Sequence, residues 1–186
     1  PGSLHEMGEA RRRLVFDELL RIQLALVQRK VDLERTSVGI AHDVGETALL
    51  DGFRSGLGFR MTAAQDRVVG EILADLARPA PMHRLLQGDV GSGKTVVAVA
   101  TMLAAVQGGH QAAVMVPTEV LAEQHHTTIS GLLDSMTVSD PATLLGHRPL
   151  KVDLLTGRTP AAERRRIGSQ LLAGGVDVLI GTHALI

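Results

Sequence analysis

An α/β fold, with a parallel sheet flanked by helices and a long helix leading into it, is predicted by three features of the sequence. From Lys94 onward helix and strand patterns alternate. The strand segments are short and continuously apolar, as in a parallel sheet covered on both faces. A glycine-rich loop joins a strand pattern to a helix pattern at residues 88–95.

The elements follow in order. From Glu9 to Arg35 the residues Val15, Leu19, Ile22 and Leu26, widened by Phe16, Leu20, Val27 and Val31, form one apolar stripe at helical spacing. A single amphipathic helix cannot bury its own stripe, so this segment is expected to lie on the following domain or on a surface outside the chain. The triplet Arg11, Arg12, Arg13 reads as a solvated face. Residues 36–61 carry Gly39, Gly45, Gly52, Gly56 and Gly58 without periodicity, and read as an irregular linker with one helical turn near Thr47 to Phe53.

A helix from Thr62 is predicted by Val68, Val69, Ile72, Leu73 and Leu76, and stops at Pro79 and Pro81. A short strand at Arg84 to Gln87 comes next. Then follow a helix at Lys94 to Val106, a strand at Ala112 to Val116, a helix at Glu119 to Leu133, a strand at Lys151 to Leu155, a helix at Pro160 to Leu172 and a strand at Val176 to Ile180. The polar stretch Asp134 to Pro149 reads as a surface insertion.

Composition narrows the chemistry. The 186 residues are 45% hydrophobic and 21% charged, with a net charge of -1, so a polyanion has to be held by a local arrangement and not by global attraction. No cysteine is present, which excludes thiol nucleophiles and thiolate zinc sites and fits a reducing cytoplasm. The three aromatic residues, Phe16, Phe53 and Phe59, provide no stacking platform for successive bases. No apolar run is long enough to span a membrane, and Pro1-Gly2-Ser3 reads as an expression scar. The adjacent His125 and His126 point about 100° apart on a helix, which suits packing or surface positions better than a shared metal.

The segment Gly88-Asp89-Val90-Gly91-Ser92-Gly93-Lys94-Thr95 matches the phosphate-binding pattern G-x-x-x-x-G-K-[ST]. Glycines let successive backbone N–H groups turn toward a β-phosphate, and the following helix N-terminus adds partial positive charge. Lys94 is the candidate catalytic residue, expected to bridge the β- and γ-phosphates, and the Thr95 hydroxyl is expected to ligate Mg²⁺. ATP and Mg are therefore the expected cofactors. At the start of the helix predicted from Thr62, Thr62-Ala63-Ala64-Gln65 matches a capping box, in which Gln65 satisfies the Thr62 N–H. Thr118 stands at a predicted helix N-cap.

Beyond these local signals, the stretch MTAAQDRVVGEILADLARPAPMHRLLQGDVGSGKT, followed by MVPTEVLAEQHH, LLTG and IGTHALI, resembles the first motor lobe of the RecG family of ATP-dependent DNA helicases. The resemblance implies a RecA-like P-loop lobe over 57–186, truncated before the DExH box, with 1–56 as connector and linker to a DNA-binding wedge domain. It implies a superfamily 2 double-stranded DNA translocase that remodels stalled forks and Holliday junctions. It also assigns Gln65 to the adenine edge and Phe59 to base stacking, so Gln65 has two candidate roles. The PTE, LTG and GTH segments are implied to grip DNA phosphates, through Thr118, Glu119, Thr156, Gly157, Thr182 and His183, with Arg158, Arg164, Arg165 and Arg166 close by. The transcription-repair coupling translocases share part of this pattern, but Ser92, Glu119, Glu123 and the LLTG segment resemble RecG more. A nucleotide-dependent binding module without enzymatic activity and a P-loop kinase are the readings from other classes.

Hydrolysis needs a carboxylate for Mg²⁺ and another to orient water, together with an arginine finger. In the RecG family these follow the GTHALI segment or lie in a second lobe. The chain alone is expected to bind ATP or ADP, to hydrolyse ATP poorly, and to self-associate through unpaired sheet edge and uncovered apolar surface.

Overall fold

The computed structural model describes residues 4–45 and 47–186. The reading of Pro1-Gly2-Ser3 as a scar lies outside the described residues. The chain divides into two compact units, Pro1–Ile40 with Pro79–Met82, and Ala41–Arg78 with His83–Ile186.

The first unit is built on α1, Leu4–Thr36. The helix is longer than the predicted Glu9 to Arg35, and Arg13 of the basic triplet pairs with Asp17 at 3.4 Å. Both groups are largely exposed, so the pair adds little stability. Val15, Leu19, Ile22 and Leu26 of the stripe are exposed. Thr36 donates from Oγ1 to the Asp32 carbonyl at 2.7 Å, and Ser37 N–H closes the last turn on Leu33 at 2.9 Å.

The second unit opens with α2, Ala48–Gly56, where the sequence suggested a linker with one turn. Leu50 and Phe53, three apart, are buried at 3% and 2% exposure. They explain the difference: glycines lower helix propensity, but burying an aromatic and a leucine outweighs the deficit. Next comes α3, Ala63–Leu76, opened by the expected capping box. The α4 helix, Lys94–Gln107, is buried nearly all round through Val96, Val97, Val99, Ala100, Met102 and Leu103, as befits its uniformly apolar sequence. Both α2 and α3 pack against it.

Three strands make the parallel sheet: β1, Ala112–Met115, β4, Val152–Leu155, and β5, Val178–Gly181, in the order β1-β5-β4. All four residues of β5 are buried, because it alone has a strand on each side. Between the strands lie α5, Glu119–Leu133, and α6, Ala161–Leu172, both close to the expected bounds. A 3₁₀ turn, His183–Leu185, follows β5.

One further expectation is corrected. Residues 84–87 form no strand. A strand exists only through a hydrogen-bonded neighbour, and none of the three parallel strands pairs with this segment. The insertion at 134–149 folds as an antiparallel pair of β2, Thr137–Ser139, and β3, His147–Pro149. Arg148 fastens it with two hydrogen bonds to Asp177, at 2.7 and 2.8 Å, and an ion pair to Asp140 at 3.3 Å. Asp177, 6% exposed, also accepts from Lys151 N–H at 2.7 Å, so its carboxylate is fully engaged in the architecture.

His42 meets His110 edge to face, with ring centroids 4.8 Å apart, and its Nδ1 is buried without a hydrogen-bond partner. Burial, and then the charge of His110, hold the His42 pKa below its ordinary value of 6.5. The unfolded chain therefore binds the proton more readily. The stabilising contribution is complete above pH 6.5 and is lost as pH falls through the lowered folded value. Melting temperature measured from pH 7.5 to 5 is expected to fall less steeply for His42→Gln than for the parent; equal slopes would remove His42 as a source of the pH dependence.

Candidate functional site

The phosphate loop is built on backbone geometry that only glycine adopts cheaply. Gly91 and Gly93 both have φ of 79°, in the left-handed region, and Gly93 is the N-cap of α4. A side chain at Gly93 would also meet Gln65 Nε2 at 2.3 Å. Lys94 starts α4 and donates from Nζ to the carbonyls of Gly88 and Asp89, each at 2.8 Å. Ser92 N–H turns back to the Asp89 carbonyl at 3.2 Å, and Val90 stands fully exposed at the loop tip. Thr95 occupies the first turn of α4.

A cavity of about 420 Å³ lies against this loop, lined by Thr62, Gln65, Val68, Gly88, Asp89, Ser92 and Lys94 among others. Its residues suit a nucleotide diphosphate: a cation, N–H groups at a helix N-terminus, and an apolar flank. Phe59 borders a separate cavity of about 740 Å³ together with Arg54, Arg60 and Asp66, and is 53% exposed.

Gln65 forms the capping box in full. Its Oε1 accepts from Thr62 N–H at 2.8 Å, and its own N–H donates to Thr62 Oγ1 at 3.3 Å. Its Nε2 then donates to the Ser92 carbonyl at 2.9 Å, which ties the start of α3 to the loop. The second amide hydrogen and second oxygen lone pair are what remain for a base.

The strand ends hold the other candidates. Parallel register aligns Met115, Gly181 and Leu155, so the segments after β1, β5 and β4 emerge together at the carboxyl edge of the sheet, where open α/β sheets bind ligands. Thr118 caps α5, accepting from Leu121 N–H at 3.3 Å, and is exposed, as are Gly157 and His183. Thr156 and Thr182 are buried at 5% and 2% exposure. Their hydroxyls serve the backbone: Thr156 accepts from Arg158 N–H at 3.3 Å, and Thr182 from Ala184 N–H at 3.5 Å. Glu119 pairs with Arg158, Oε2 to Nε, at 2.8 Å, so it faces a cation from the neighbouring segment.

The remaining arginines differ in availability. Arg164 donates to the Thr156 carbonyl at 3.0 Å, whereas Arg166 is committed to Glu163 and Asp153. His125 and His126 are half-buried, and among the described residues no cluster of three or more metal-binding side chains occurs. Sequence reasoning missed Arg84, which joins the residues before the loop to Glu71 and Asp75 of α3. The available signal was the spacing of the two acids, four apart on one helix face.

A glycine-rich loop capping a buried helix beside a parallel sheet defines a P-loop nucleotide-binding lobe. The DEAD/DEAH box helicase family model matches residues 62–186, and the chain belongs to that family. It is similar to the ATP-dependent DNA helicase RecG of Synechocystis sp., 48% identical with all of this chain and 21% of the relative covered. RecG of Bacillus subtilis is 44% identical, again over all of this chain and 25% of the relative. A solved structure of RecG bound to a three-way DNA junction superposes with a TM-score of 0.82 at 38% identity, covering 99% of this chain and 23% of that one. The chain thus spans about a fifth to a quarter of the length of these relatives. Among the described residues no helix is long and apolar enough to cross a membrane.

Proposed function

We propose that the chain forms the nucleotide-binding part of the first motor lobe of an ATP-driven DNA translocase that remodels forks and Holliday junctions in recombination and repair, working in the cytoplasm. The observation that carries this reading is the phosphate loop, with Lys94 Nζ poised on two loop carbonyls at 2.8 Å beside a cavity sized for a nucleotide. An incoming phosphate would exchange those carbonyls for charged oxygens, which accept stronger hydrogen bonds. The Thr95 hydroxyl would join phosphate oxygens and water around Mg²⁺. Bound MgATP supplies the phosphoryl chemistry; the loop residues bind and orient it. Gln65 offers its remaining donor and acceptor to adenine, and Phe59 its exposed ring. The motor portion on this reading is 57–186, with α2 as a packing element in front of it, and α1 is the connector whose exposed stripe favours self-association.

DNA is the proposed partner at the carboxyl edge of the sheet. Thr118, Gly157 and His183 are the exposed members of the three strand-end segments, while Thr156 and Thr182 shape the turns that present them. Arg158, 82% exposed at its side chain, supplies the cation. Glu119, paired with Arg158, offsets part of that charge, since a carboxylate repels phosphate.

Duplex-DNA binding followed against salt concentration tests this surface. Arg158→Ala is expected to flatten the slope of log affinity against log salt by about 0.9, the loss of one phosphate contact. Glu119→Gln, which removes a negative charge from the same edge, is expected to tighten binding. Unchanged slopes and affinities in both variants would place DNA elsewhere.

A further inference from the structure

We infer that Arg84 is a positioning residue for the phosphate loop, with α3 as the splint: Asp75 and Glu71 hold Arg84 where the chain enters the loop, and Gln65 holds Ser92 where it leaves. This rests on the nucleotide reading of the loop and extends it to residues outside the G-x-x-x-x-G-K-[ST] pattern.

The geometry is specific. Arg84 donates from Nε and Nη2 to Asp75 Oδ2 at 2.9 and 2.7 Å, and from Nη1 to Glu71 Oε2 at 2.6 Å. One guanidinium thus spans two carboxylates a single helical turn apart, a shape that a lysine cannot reproduce. The carbonyls that hold Lys94 belong to Gly88 and Asp89, four and five residues after Arg84. Ten residues back along α3 from Asp75, about 15 Å by helical rise, Gln65 Nε2 bonds the Ser92 carbonyl at 2.9 Å.

The stretch between these ties has little else to locate it. Residues 84–87 make no backbone–backbone hydrogen bond among the described residues, and Leu85 is 88% exposed. A parallel strand entering a phosphate loop is ordinarily fixed by its neighbours in the sheet. Here Arg84 and its two carboxylates take over that task from the side.

The Arg84 cluster differs from an ordinary stabilising tie by its exposure. Side-chain exposures of 31%, 47% and 29% for Arg84, Glu71 and Asp75 leave the ion pairs near water, where they contribute little to global stability. Arg67 lies 3.8 Å from Glu71 and is a second cation beside it. Loss of Arg84 should therefore appear in nucleotide affinity far more than in melting temperature.

Calorimetric titration of the chain with Mg-ADP, beside thermal melts, tests this. Arg84→Ala is expected to weaken Mg-ADP about tenfold with a small change in melting temperature. Asp75→Asn should weaken binding in the same direction, and Arg84→Lys should recover part of the affinity. Combining Arg84→Ala with Gln65→Ala should give less than the product of the two separate affinity losses, because both ties hold one loop, while their effects on melting add. Affinity unchanged in Arg84→Ala while Lys94→Ala abolishes binding overturns the splint and leaves the nucleotide site standing. Binding that survives Lys94→Ala overturns the nucleotide reading itself. A melting-temperature drop in Arg84→Ala and Asp75→Asn as large as that of a core truncation makes the cluster structural, and also overturns the proposal.

Discussion

Lys94→Ala is expected to weaken Mg-ADP binding by about 100-fold or more, leaving no saturable heat in a calorimetric titration at micromolar protein. The ammonium contributes charge-assisted hydrogen bonds to two phosphates, and each such bond is roughly twice as strong as a neutral one. Folding should be unaffected. Among the described residues Nζ bonds only to the Gly88 and Asp89 carbonyls, and residues 88 and 89 are exposed, so water replaces the lost partner. The melting temperature of the variant is expected to stay within about 1 °C of the parent, which separates loss of a ligand from loss of the fold. Parent-like affinity in the variant would show that nucleotide binds elsewhere.

Phe53→Ala carries the largest expected effect on stability. Its ring is 2% exposed on α2, which packs against α4 and α5. Truncating a buried phenylalanine costs about 3–5 kcal/mol, equivalent to a fall in melting temperature of about 10 °C or more in a unit of this size. A residue in a linker would cost almost nothing, so the same melt decides whether 41–56 belongs to the compact unit. Because α2 leans on the helix whose first residue is Lys94, Mg-ADP added in excess should recover part of the lost stability by mass action.

Much of the molecule is legible in its amino-acid sequence. The apolar runs Ala112 to Val116 and Val176 to Ile180 mark the parallel neighbours Ala112–Met115 and Val178–Gly181, and α5 spans Glu119–Leu133 as its pattern predicts. These signals are local: a capping threonine, an apolar period, a glycine spacing. They survive in the fold because neighbouring residues along the chain generate them. Thr62 and Gln65 illustrate how far such a signal reaches. Their three-residue spacing announced the capping box, but the same spacing is silent on the bond from Gln65 to Ser92, 27 residues away.

The misreadings share one cause. Arg84–Gln87 has strand-like residues, yet a strand requires a partner that composition cannot reveal. The insertion at 134–149 is legible as such, but its sequence is silent on the burial of Val138 and Met136 at 7% and 9% exposure and on Arg148 finding Asp177 29 residues later. The five glycines of 36–61 masked α2, because the burial of Phe53 is decided by α4 and α5 and not by its immediate neighbours.

By itself, then, the sequence determined the α/β alternation, the phosphate loop and the residue types at each strand end, all of which depend on contacts within a few residues. Only the tertiary structure decided that Glu119 faces Arg158, that Thr156 and Thr182 turn inward, and that Arg84 is held by α3. The two charge pairings join residues 9 to 39 positions apart, and which of the chain's many charges meet, like which threonines turn inward, is settled by how the elements pack.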